Sequence, residues 1–424
     1  MTTKKIKSIE KLLKLNQHKI ILGLTRVKKV LKKLKLNKIY PDAKVLIIGG
    51  TSAKNSILQI FKSIIIKQKK NYAATYSPHL VSIIERFELN KKFINKNLLK
   101  KKLMNISKIK NLTQFEKLII TFADFIKGIK LDWILAEVGL FGRLDAIRAL
   151  FSKPNIYIVS PISWDHLGWT KNKKRNYATL KEIVYEKTSF IRSKVYISKQ
   201  TSDVLKLIKS NLNKNKNLKF FYGKDYKMIK KNGKYFYKDH KNKFEIKSNL
   251  IGDYMYENIT VAIKVALDQN IPIKTIKLGI KKVDIPGRLQ IIKKGRLRKG
   301  LKQKDILILD GAHNEQQSQA LTNVLDGFHI KNKYAFISMI NSKDPYSFLQ
   351  PIKNKFKKIY FTNMDREKNV IKKEQLKLIA DKLKINSEII KNFNELKIKL
   401  KNQPRKLILC SGSLYHVGSL LSKN

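Results

Sequence analysis

The chain alternates between short β-branched apolar runs and longer amphipathic stretches with helical periodicity. Short continuous apolar runs are typical of strands buried on both faces, so we predict strands there. The predicted strands are Val45–Ile48, Ile134–Val138, Ile156–Ser160, Val195–Ser198, Ile306–Leu309, Tyr334–Met339, Lys358–Phe361 and Leu407–Cys410. The helical patterns between them include Ile57–Ile66, Leu180–Lys187, Asn258–Leu267 and Glu374–Leu383. This alternation predicts an α/β fold with mostly parallel, doubly wound sheets, whose ligand sites lie at the carboxyl ends of strands.

Two places interrupt the alternation. Residues 213–247 are rich in Lys and Asn with interspersed aromatics, which predicts a hairpin excursion. The helical pattern stops at Pro286-Gly287, and a new strand–helix series follows. We therefore predict two domains, 1–284 and 285–424. The periodic apolar residues within 1–14 predict the first helix of a domain, not a signal peptide.

Composition limits the function classes. The 424 residues are 43% hydrophobic, as expected for a globular protein, and carry a net charge of +60. Of the 91 basic residues 11 are Arg, leaving 91 − 11 = 80 Lys, and these are spread along the chain. Lys, Ile and Asn share A/T-rich codons, so mutational bias explains the charge better than a nucleic-acid site does. Nucleic-acid sites are typically built from clustered Arg and aromatic side chains. We expect no specific nucleic-acid partner, only loose RNA binding at low salt.

The single cysteine and the absence of long apolar runs point to a protein of the reducing cytosol. Cys410 lies in an apolar run and is expected to be a small buried residue, so neither a disulfide nor a Cys-based zinc site is possible. No apolar run reaches the length of a transmembrane helix, and no membrane partner is expected.

The segment 45–56 has the layout of a phosphate-binding loop. A β-branched run ends in Gly49-Gly50, and Lys54 and two hydroxyls precede an amphipathic run. Backbone N–H groups at a helix start and the helix dipole both favour anions there. Paired glycines after a strand are also common in plain tight turns, and residues 53 and 55 are not the glycines that such loops prefer. Other segments of the chain must decide between a phosphate-binding loop and a plain tight turn.

Acids and histidines recur where predicted strands end. Glu137 lies in a buried strand and needs a cation as partner. Asp165-His166 follows the next strand, and Asp310 and His313 follow a strand in the second half. A lone histidine would be read as a hydrogen-bonded loop residue, but this recurrence beside a phosphate loop favours a metal–nucleotide site.

These segments, with others in the same order, resemble the folylpolyglutamate synthase/dihydrofolate synthase family of the Mur-ligase group. The resemblance runs from about Ile9 to Gly418. Its segments are 21–27, Gly50–Ser56, Ser77–Leu80 with Glu85-Arg86, Thr113–Glu116, Glu137–Arg148, Asp165-His166, Glu186–Phe190, Asn258, Pro286–Arg288, Asp310–Asn314 and Gly412–Gly418. It implies a Mur-ligase-like fold: an N-terminal P-loop ATPase domain with a mostly parallel sheet, and a smaller Rossmann-like C-terminal domain that carries the glutamate-ligase part.

The resemblance implies an ATP- and Mg²⁺-dependent ligase that adds L-glutamate to dihydropteroate or reduced folates through an acyl phosphate. The implied catalytic residues are Lys54, Lys187, His166 and His313. The implied ATP contacts are Gly50, Thr51, Ser52, Ala53, Lys54, Asn55, Ser56, Asn258, Arg288 and Asp310. The implied metal ligands are Ser77, Glu137, His166 and Lys187 as a carbamate. The implied substrate contacts are Leu22, Gly23, Leu24, Arg26, Pro78, His79, Thr113, Phe115 and Ala146. Small-molecule substrates, a cytoplasmic location and a monomer are expected.

The chain departs from the family pattern at the phosphate loop and at the segment after Glu137. Ser52, Ala53 and Asn55 differ in the first, and Phe141, Ile147 and Arg148 in the second. Glycine permits φ > 0, and Ala53 tolerates it less well than Asn55. A working enzyme from an A/T-biased genome is favoured over a relic with weakened ATP affinity. Two alternatives stay open: another Mur-type acid–amino acid ligase, and a degenerate ligase scaffold that binds RNA.

Overall fold

The computed structural model describes residues 9, 22–36, 42–164, 179–213, 216–364 and 369–424. The chain folds into two compact units. The first unit comprises 1–79, 83–249 and 256–283, and the second comprises 80–82, 250–255 and 284–424. The second unit therefore takes in two short segments, 80–82 and 250–255, from the range 1–284.

In the described part of the first unit, eight strands form one sheet in the order β4-β3-β2-β5-β1-β6-β7-β8. The strands β2, β5, β1, β6, β7 and β8 pair in parallel, and β3 and β4 add an antiparallel edge. The strands are β1 Lys44–Gly49, β2 Tyr72–Thr75, β3 Glu88–Leu89, β4 Lys92–Phe93, β5 Trp133–Glu137, β6 Ile156–Val159, β7 Lys194–Ile197 and β8 Lys219–Phe221. The parallel strands bring the ends of β1, β2, β5 and β6 to the same edge, where the candidate site lies.

Helices follow most of these strands. They are α1 Thr25–Lys33, α2 Lys54–Lys67, α3 Lys96–Ser107, α4 Gln114–Ile126, α5 Ala146–Leu150, α6 Leu180–Thr188, α7 Ser202–Leu212, α8 Asp253–Asp268 and α9 Ile273–Lys281, with a 3₁₀ turn at Ile83–Arg86. Residues of α1 and α3–α7 pack in one core against alternate strand residues such as Ile47 and Ile134. The helices α2 and α9 pack together, and the Ser63 hydroxyl donates to the Gly279 carbonyl (2.7 Å).

The first part of the predicted excursion supplies β8 of the main sheet, and the rest is a three-stranded antiparallel sheet in the order β11-β10-β9, not a single hairpin. Its strands are β9 Tyr226–Lys231, β10 Lys234–Asp239 and β11 Lys243–Ile246. Asn232 and Gly233 adopt positive φ (+50° and +72°), as a tight two-residue hairpin turn requires. In the second turn the Asp239 carboxylate accepts the Lys241 and Asn242 N–H groups (2.9 and 2.6 Å), so each turn carries its own local signal.

The described part of the second unit contains a six-stranded sheet in the order β12-β13-β17-β14-β15-β16, parallel except for β12. Its elements are β12 Gln290–Ile291, β13 Ile306–Leu309, α10 Glu315–Asp326, β14 Asn332–Ile337, α11 Pro345–Leu349, a 3₁₀ turn Gln350–Ile352, β15 Lys358–Phe361, α12 Lys373–Lys382, β16 Ser387–Ile389, α13 Phe393–Lys399, β17 Lys406–Ser411 and α14 Leu414–Leu421. Successive residues of β13 face opposite sides of the sheet, since Ile308 enters one core and Leu309 enters another. Helices therefore cover both faces, as predicted.

The segment 80–82 belongs to the second unit through Leu80. The Leu80 side chain packs against the core that includes Val417, and it lies 3.2 Å from the place where a Cβ at Gly287 would stand. A Cβ at Gly418 would overlap the Leu80 carbonyl oxygen. Glycine at 418 is therefore required for this close approach.

Candidate active site

The phosphate loop joins β1 to α2 and is tied to the segment that follows β6. The Thr51 and Ser52 N–H groups both donate to the Pro161 carbonyl (3.0 and 3.1 Å). The Thr51 hydroxyl donates to the Ser163 carbonyl and accepts from the Ser163 N–H (3.2 Å each). The loop is thus held from one side, while α2 begins at Lys54 with first-turn N–H groups that lack intrahelical acceptors.

Of the three loop residues that differ from the family pattern, one occupies a conformation that favours glycine. Ala53 has φ +63° and ψ 0°, which is left-handed and costs a non-glycine residue about 1 kcal/mol. Asn55 lies inside α2, where its side chain accepts a hydrogen bond from Gln59 (3.0 Å). Ser56, which matches the family, is buried in the same helix. The strain predicted for Ala53 is present, and Asn55 needs no left-handed geometry.

Lys54 places its ammonium group over the loop. Its Nζ donates to the carbonyls of Thr51 (3.1 Å) and Gly50 (3.4 Å). It also lies 4.0 Å from Oε1 of Glu137, the last residue of β5. Since β1 and β5 pair in parallel, the end of β5 delivers this carboxylate directly beside the loop.

Glu137 and Ser77 meet at the ends of neighbouring strands. Glu137 is buried, and its Oε2 accepts the Ser77 N–H (3.2 Å) just beyond β2. Among the described residues no three His, Cys, Asp or Glu side chains converge as a protein-only metal cage. Glu137 and Ser77 form a donor set that fits Mg²⁺, because this ion is usually held by one or two carboxylates, substrate phosphates and water. Asp165 and His166 lie outside the described residues.

Lys187, near the end of α6, is buried and reaches the same loop. Its Nζ donates to the Gly50 carbonyl (3.0 Å) and lies 5.6 Å from the ring centre of Phe141. Phe141 has φ +55°, so this departure from the family also occupies a glycine conformation. The neighbouring Glu186 makes a two-point ion pair with Arg143 (3.0 and 2.9 Å), which fixes the end of α6 against the loop after β5. A ring face attracts an ammonium group, so the Phe141 ring stabilises the ammonium group of Lys187.

A small cavity opens beside Ser77 and Glu137, and Phe115 and Arg86 contribute to its lining. Phe115 is in the first turn of α4, which Thr113 caps by accepting the Glu116 N–H (3.3 Å). A Cβ at Gly139 would overlap the Phe115 ring, so glycine lets that ring lie close to the loop after β5. The cavity joins an aromatic surface to the Glu137 carboxylate.

The opening segment of the family resemblance reaches the same region through Arg26. Its Nη2 donates to Oε1 of Glu116 (2.9 Å), the residue whose other oxygen completes the cap of α4. The Gly23 N–H donates to the Leu144 carbonyl (3.3 Å), next to Asp145 and Ala146. Leu22 and Leu24 are half-buried, and Leu24 packs against the core of this unit. Arg26 and Gly23 thus contact residues close in sequence to Phe115 and Ala146.

Two titratable groups near the cavity have shifted pKa values. Burial and the nearby Arg86 lower the pKa of His79 to about 4, and Arg86 Nε donates to His79 Nδ1 (3.1 Å). His79 is therefore neutral at pH 7, with its proton on Nε2. Burial raises the pKa of Asp145 to about 6, partly offset by hydrogen bonds from the N–H groups of Leu140 and Ile147 (2.8 Å each). Pro78, between Ser77 and His79, is exposed.

Arg86 is a functional candidate that the sequence analysis did not assign. It lines the cavity and orients His79, so it can hold an anionic group of a substrate. Its signal in the sequence was that Arg is rare in this chain, since it makes up only 11 of the 91 basic residues.

In the second unit, Asp310 and His313 lie in the turn between β13 and α10. Burial raises the pKa of Asp310, while Arg288 and the N–H groups of Leu289 and Ala312 (2.8 Å each) lower it. His313 Nδ1 is 2.7 Å from the Gly311 carbonyl, so it carries the proton there and Nε2 is left as an acceptor. Asn258, in α8 of the first unit, is buried.

Comparison with known proteins finds relatives that cover most of the chain. No family model matches the chain. It is 24% identical over 351 residues to a dihydrofolate synthase/folylpolyglutamate synthase of Buchnera aphidicola, and the match covers 80% of this chain and 78% of that protein. It is 25% identical over 433 residues to the dihydrofolate synthetase of Saccharomyces cerevisiae, with 95% and 97% of the two chains covered.

The fold matches a solved structure over nearly its full length. A bifunctional folylpolyglutamate synthase/dihydrofolate synthase from Yersinia pestis, complexed with AMPPNP and a Mn ion, has a TM-score of 0.82 and 20% identity, and the match covers 99% of this chain and 97% of that one. The Mur-ligase-like fold is thereby confirmed. With the motifs in order along the chain, full-length relatives and a shared fold, the chain is similar in sequence and fold to the folylpolyglutamate synthase/dihydrofolate synthase family.

Proposed function

We propose that the chain is an ATP-dependent ligase that adds L-glutamate to dihydropteroate, to reduced folates or to both. The observation that carries the proposal is the meeting of Lys54, Glu137 and Lys187 at one phosphate loop, beside a cavity lined by Phe115. Cations and a buried carboxylate there suit a phosphate chain, and the Phe115 ring offers an apolar surface on which a flat ring system can pack. Substrates of this kind are small molecules, and we place the reaction in the cytoplasm with a monomeric enzyme.

ATP and a divalent metal ion are the cofactors. Glu137 and Ser77 are proposed to hold Mg²⁺, with His166 and Lys187 as further ligands. The bound ion supplies positive charge that neutralises the ATP phosphates and polarises the γ-phosphoryl group. Lys54 contributes in the same sense, since its Nζ needs to move only from the Thr51 carbonyl (3.1 Å) toward an incoming phosphate oxygen.

The first chemical step is phosphoryl transfer. A carboxylate oxygen of the pteroate or folate attacks the γ-phosphorus of ATP, the bond to the bridging oxygen breaks, and ADP leaves. Without cations the two anions would repel each other, so the loop amides and Lys54 lower the barrier by compensating their charge. Phe115 and Arg86 are proposed to position the acid in the cavity so that its carboxylate faces the loop.

The second step forms the amide. The amino group of L-glutamate attacks the acyl carbon, the carbon–oxygen bond breaks, phosphate leaves, and the nitrogen gives up a proton. In the second unit, His313 is proposed to act near this step, since its Nε2 is the nitrogen left to accept a proton. Arg288, Asp310 and Asn258 are proposed to contact ATP.

The decisive experiment measures ATP turnover by the purified protein with dihydropteroate or tetrahydrofolate, each with and without L-glutamate. We expect ADP release that requires both the acid and glutamate, and the ratio of the two rates identifies the preferred acid. Turnover that instead requires a different amino acid would indicate another Mur-type ligase. No turnover with any pair would contradict the proposal.

A magnesium titration tests the metal site. Glu137→Gln removes a carboxylate that the site needs, so the Mg²⁺ concentration for half-maximal rate should rise at least about tenfold. The matched control is Asp203→Asn, which removes an exposed carboxylate from α7 of the same unit. Identical titrations for the wild type and Glu137→Gln would rule out Glu137 as a ligand.

A further inference from the structure

The outward face of the sheet β9–β11 carries lysines in rows across the strands. Lys227 pairs with Lys238, and Lys238 pairs with Lys243, so three ammonium groups stand side by side. Lys231 pairs with Lys234 in a second row. All five side chains are exposed, and we call this set the lysine face. With strands about 4.8 Å apart and about 3.3 Å per residue, the first row spans about 10 Å and the rows lie about 13 Å apart.

Such rows work against the stability of the sheet. Like charges directly opposite each other on neighbouring strands are destabilising. Among the described residues of this face the acid is Glu245, and its carboxylate already lies 3.3 Å from the ammonium group of Lys247. The repulsion within the lysine face is therefore relieved best by an external anion that touches several lysines together.

An aromatic side chain lies between the two rows. Phe236 pairs with Ile229 on one side and with Glu245 on the other, and it is half-buried by these neighbours. The opposite face of the sheet is different in character, because Tyr226 and Tyr237 are buried there. The outward face thus combines a flat apolar centre with cations on two sides. Aromatic platforms flanked by cations are how proteins bind single-stranded nucleic acids without reading sequence.

We propose that the lysine face, with Phe236 at its centre, binds single-stranded RNA independently of sequence. A base stacks on Phe236, and the flanking phosphates lie along the two lysine rows. The loose RNA affinity expected from the net charge is then localised on one surface, not spread over the molecule. The proposal is independent of the ligase activity, since none of these residues belongs to the candidate active site.

The test measures binding of a fluorescein-labelled 12-residue oligouridine by anisotropy from 50 to 300 mM salt. Changing all five lysines of the face to Gln should weaken binding at least about tenfold at 100 mM salt. It should also flatten the plot of log affinity against log salt by about 3, since each phosphate contact contributes about 0.7 for a single strand. Phe236→Ala should weaken binding about fivefold or more while leaving the salt slope unchanged.

The matched control removes the same charge elsewhere. Lys67, Lys69, Lys127, Lys206 and Lys282 are exposed and scattered, and changing all five to Gln should leave both affinity and slope near wild type. Equal losses in the two five-lysine variants would overturn the proposal, because the affinity would then follow net charge alone. Equal binding of anionic phospholipid vesicles, with no effect of Phe236→Ala, would overturn the assignment to RNA.

A stability measurement provides an independent readout. Lys238 is in the middle of the three-lysine row, so Lys238→Gln should raise Tm by about 1–3 °C while lowering RNA affinity. A variant that lowers both would indicate a structural role for Lys238 and would contradict the proposal. Ligase turnover should be unchanged in all these variants, which separates failure here from failure of the proposed enzyme function.

Discussion

Two strand-to-helix turns, one in each unit, use a similar backbone layout for opposite charges. After β1, Lys54 and Lys187 both donate to the Gly50 carbonyl (3.4 and 3.0 Å). After β13, the Asp310 carboxylate accepts the N–H groups of Leu289 and Ala312 (2.8 Å each). The first turn gathers cations, whereas the second turn holds an acid that accepts one amide of its own turn and one from Leu289, just before β12. A strand followed by a helix therefore does not by itself predict a phosphate site, and the charges at the two turns distinguish them.

The turns also differ in their tolerance of sequence change. The β13 turn keeps the family residues, whereas the β1 turn carries Ala53 in a left-handed conformation and borders Phe141 in another. Because the cations remain at the β1 turn, we expect altered glycines to tune the enzyme and altered cations to stop it. The following variants test that distinction, beginning with the largest expected effect.

Lys54→Ala should lower ATP turnover by about 10³-fold or more, because it removes a cation from the phosphate loop. The protein should still fold, but its melting temperature should fall, since the buried Glu137 carboxylate loses the ammonium group 4.0 Å from its Oε1. Coupled ADP release and a thermal melt measure the two effects. Lys67→Ala, at the exposed end of the same helix, is the control and should keep full activity. An active Lys54→Ala enzyme would contradict the phosphate-loop assignment.

Lys187→Ala should be nearly inactive, because it removes a buried group that donates to Gly50. If the lysine acts as a carbamate, removal of dissolved CO₂ should lower wild-type turnover severalfold, and bicarbonate should restore it. Short-chain acids should partly rescue Lys187→Ala. Phe141→Gly should enlarge the bicarbonate response, since the ring favours the ammonium form. A fully active Lys187→Ala enzyme, indifferent to bicarbonate, would contradict the role.

Asp145→Asn should flatten the pH dependence of stability between pH 4 and 6. The folded-state pKa of Asp145 is raised from the ordinary 3.8 to about 6 by burial, so the folded protein retains a proton that the unfolded chain releases. Stability should fall as pH rises through this window, by on the order of 3 kcal/mol.

Urea unfolding of the wild type and the variant at pH 4.5 and pH 7 measures how much Asp145 contributes to the change in the free energy of unfolding between these pH values. Asp203→Asn, in which an exposed carboxylate is removed, is the control and should follow the wild type. Parallel curves for Asp145→Asn and wild type would show that this carboxyl is not the group that titrates. Burial raises the pKa of Asp310 as well, so Asp310→Asn should act in the same direction in the second unit.

Ala53→Gly should have the smallest effect. It relieves the left-handed strain of about 1 kcal/mol but adds unfolded-state entropy, so a net gain near 0.5 kcal/mol is expected, with a lower KM for ATP. Ala149→Gly, inside α5, should instead lose about 1 kcal/mol. Loss of stability in both variants would show that the loop prefers alanine.

The sequence predicted those elements whose signal is local. Continuous β-branched runs such as Val45–Ile48 became strands at the expected places. The strand Tyr72–Thr75 was missed because it holds no aliphatic β-branched residue, and the strand Glu88–Leu89 because two residues show no periodicity. In the site, the contact of Arg26 with Glu116 spans 90 residues, and no local pattern predicts such a pair. The left-handed Ala53 was foreseeable only through the family's glycine.

The close approach of Leu80 to Gly418 bears on how the gene can be divided. A fragment that starts at residue 284 would lack the segments 80–82 and 250–255, which belong to the second unit. It would lose the carbonyl that fills the space over Gly418 and the side chain beside Gly287, and it would expose part of the Val417 core. Split-protein reporters, domain swaps between relatives and fragment crystallisation therefore need a cut that supplies Leu80 in trans or by a designed linker.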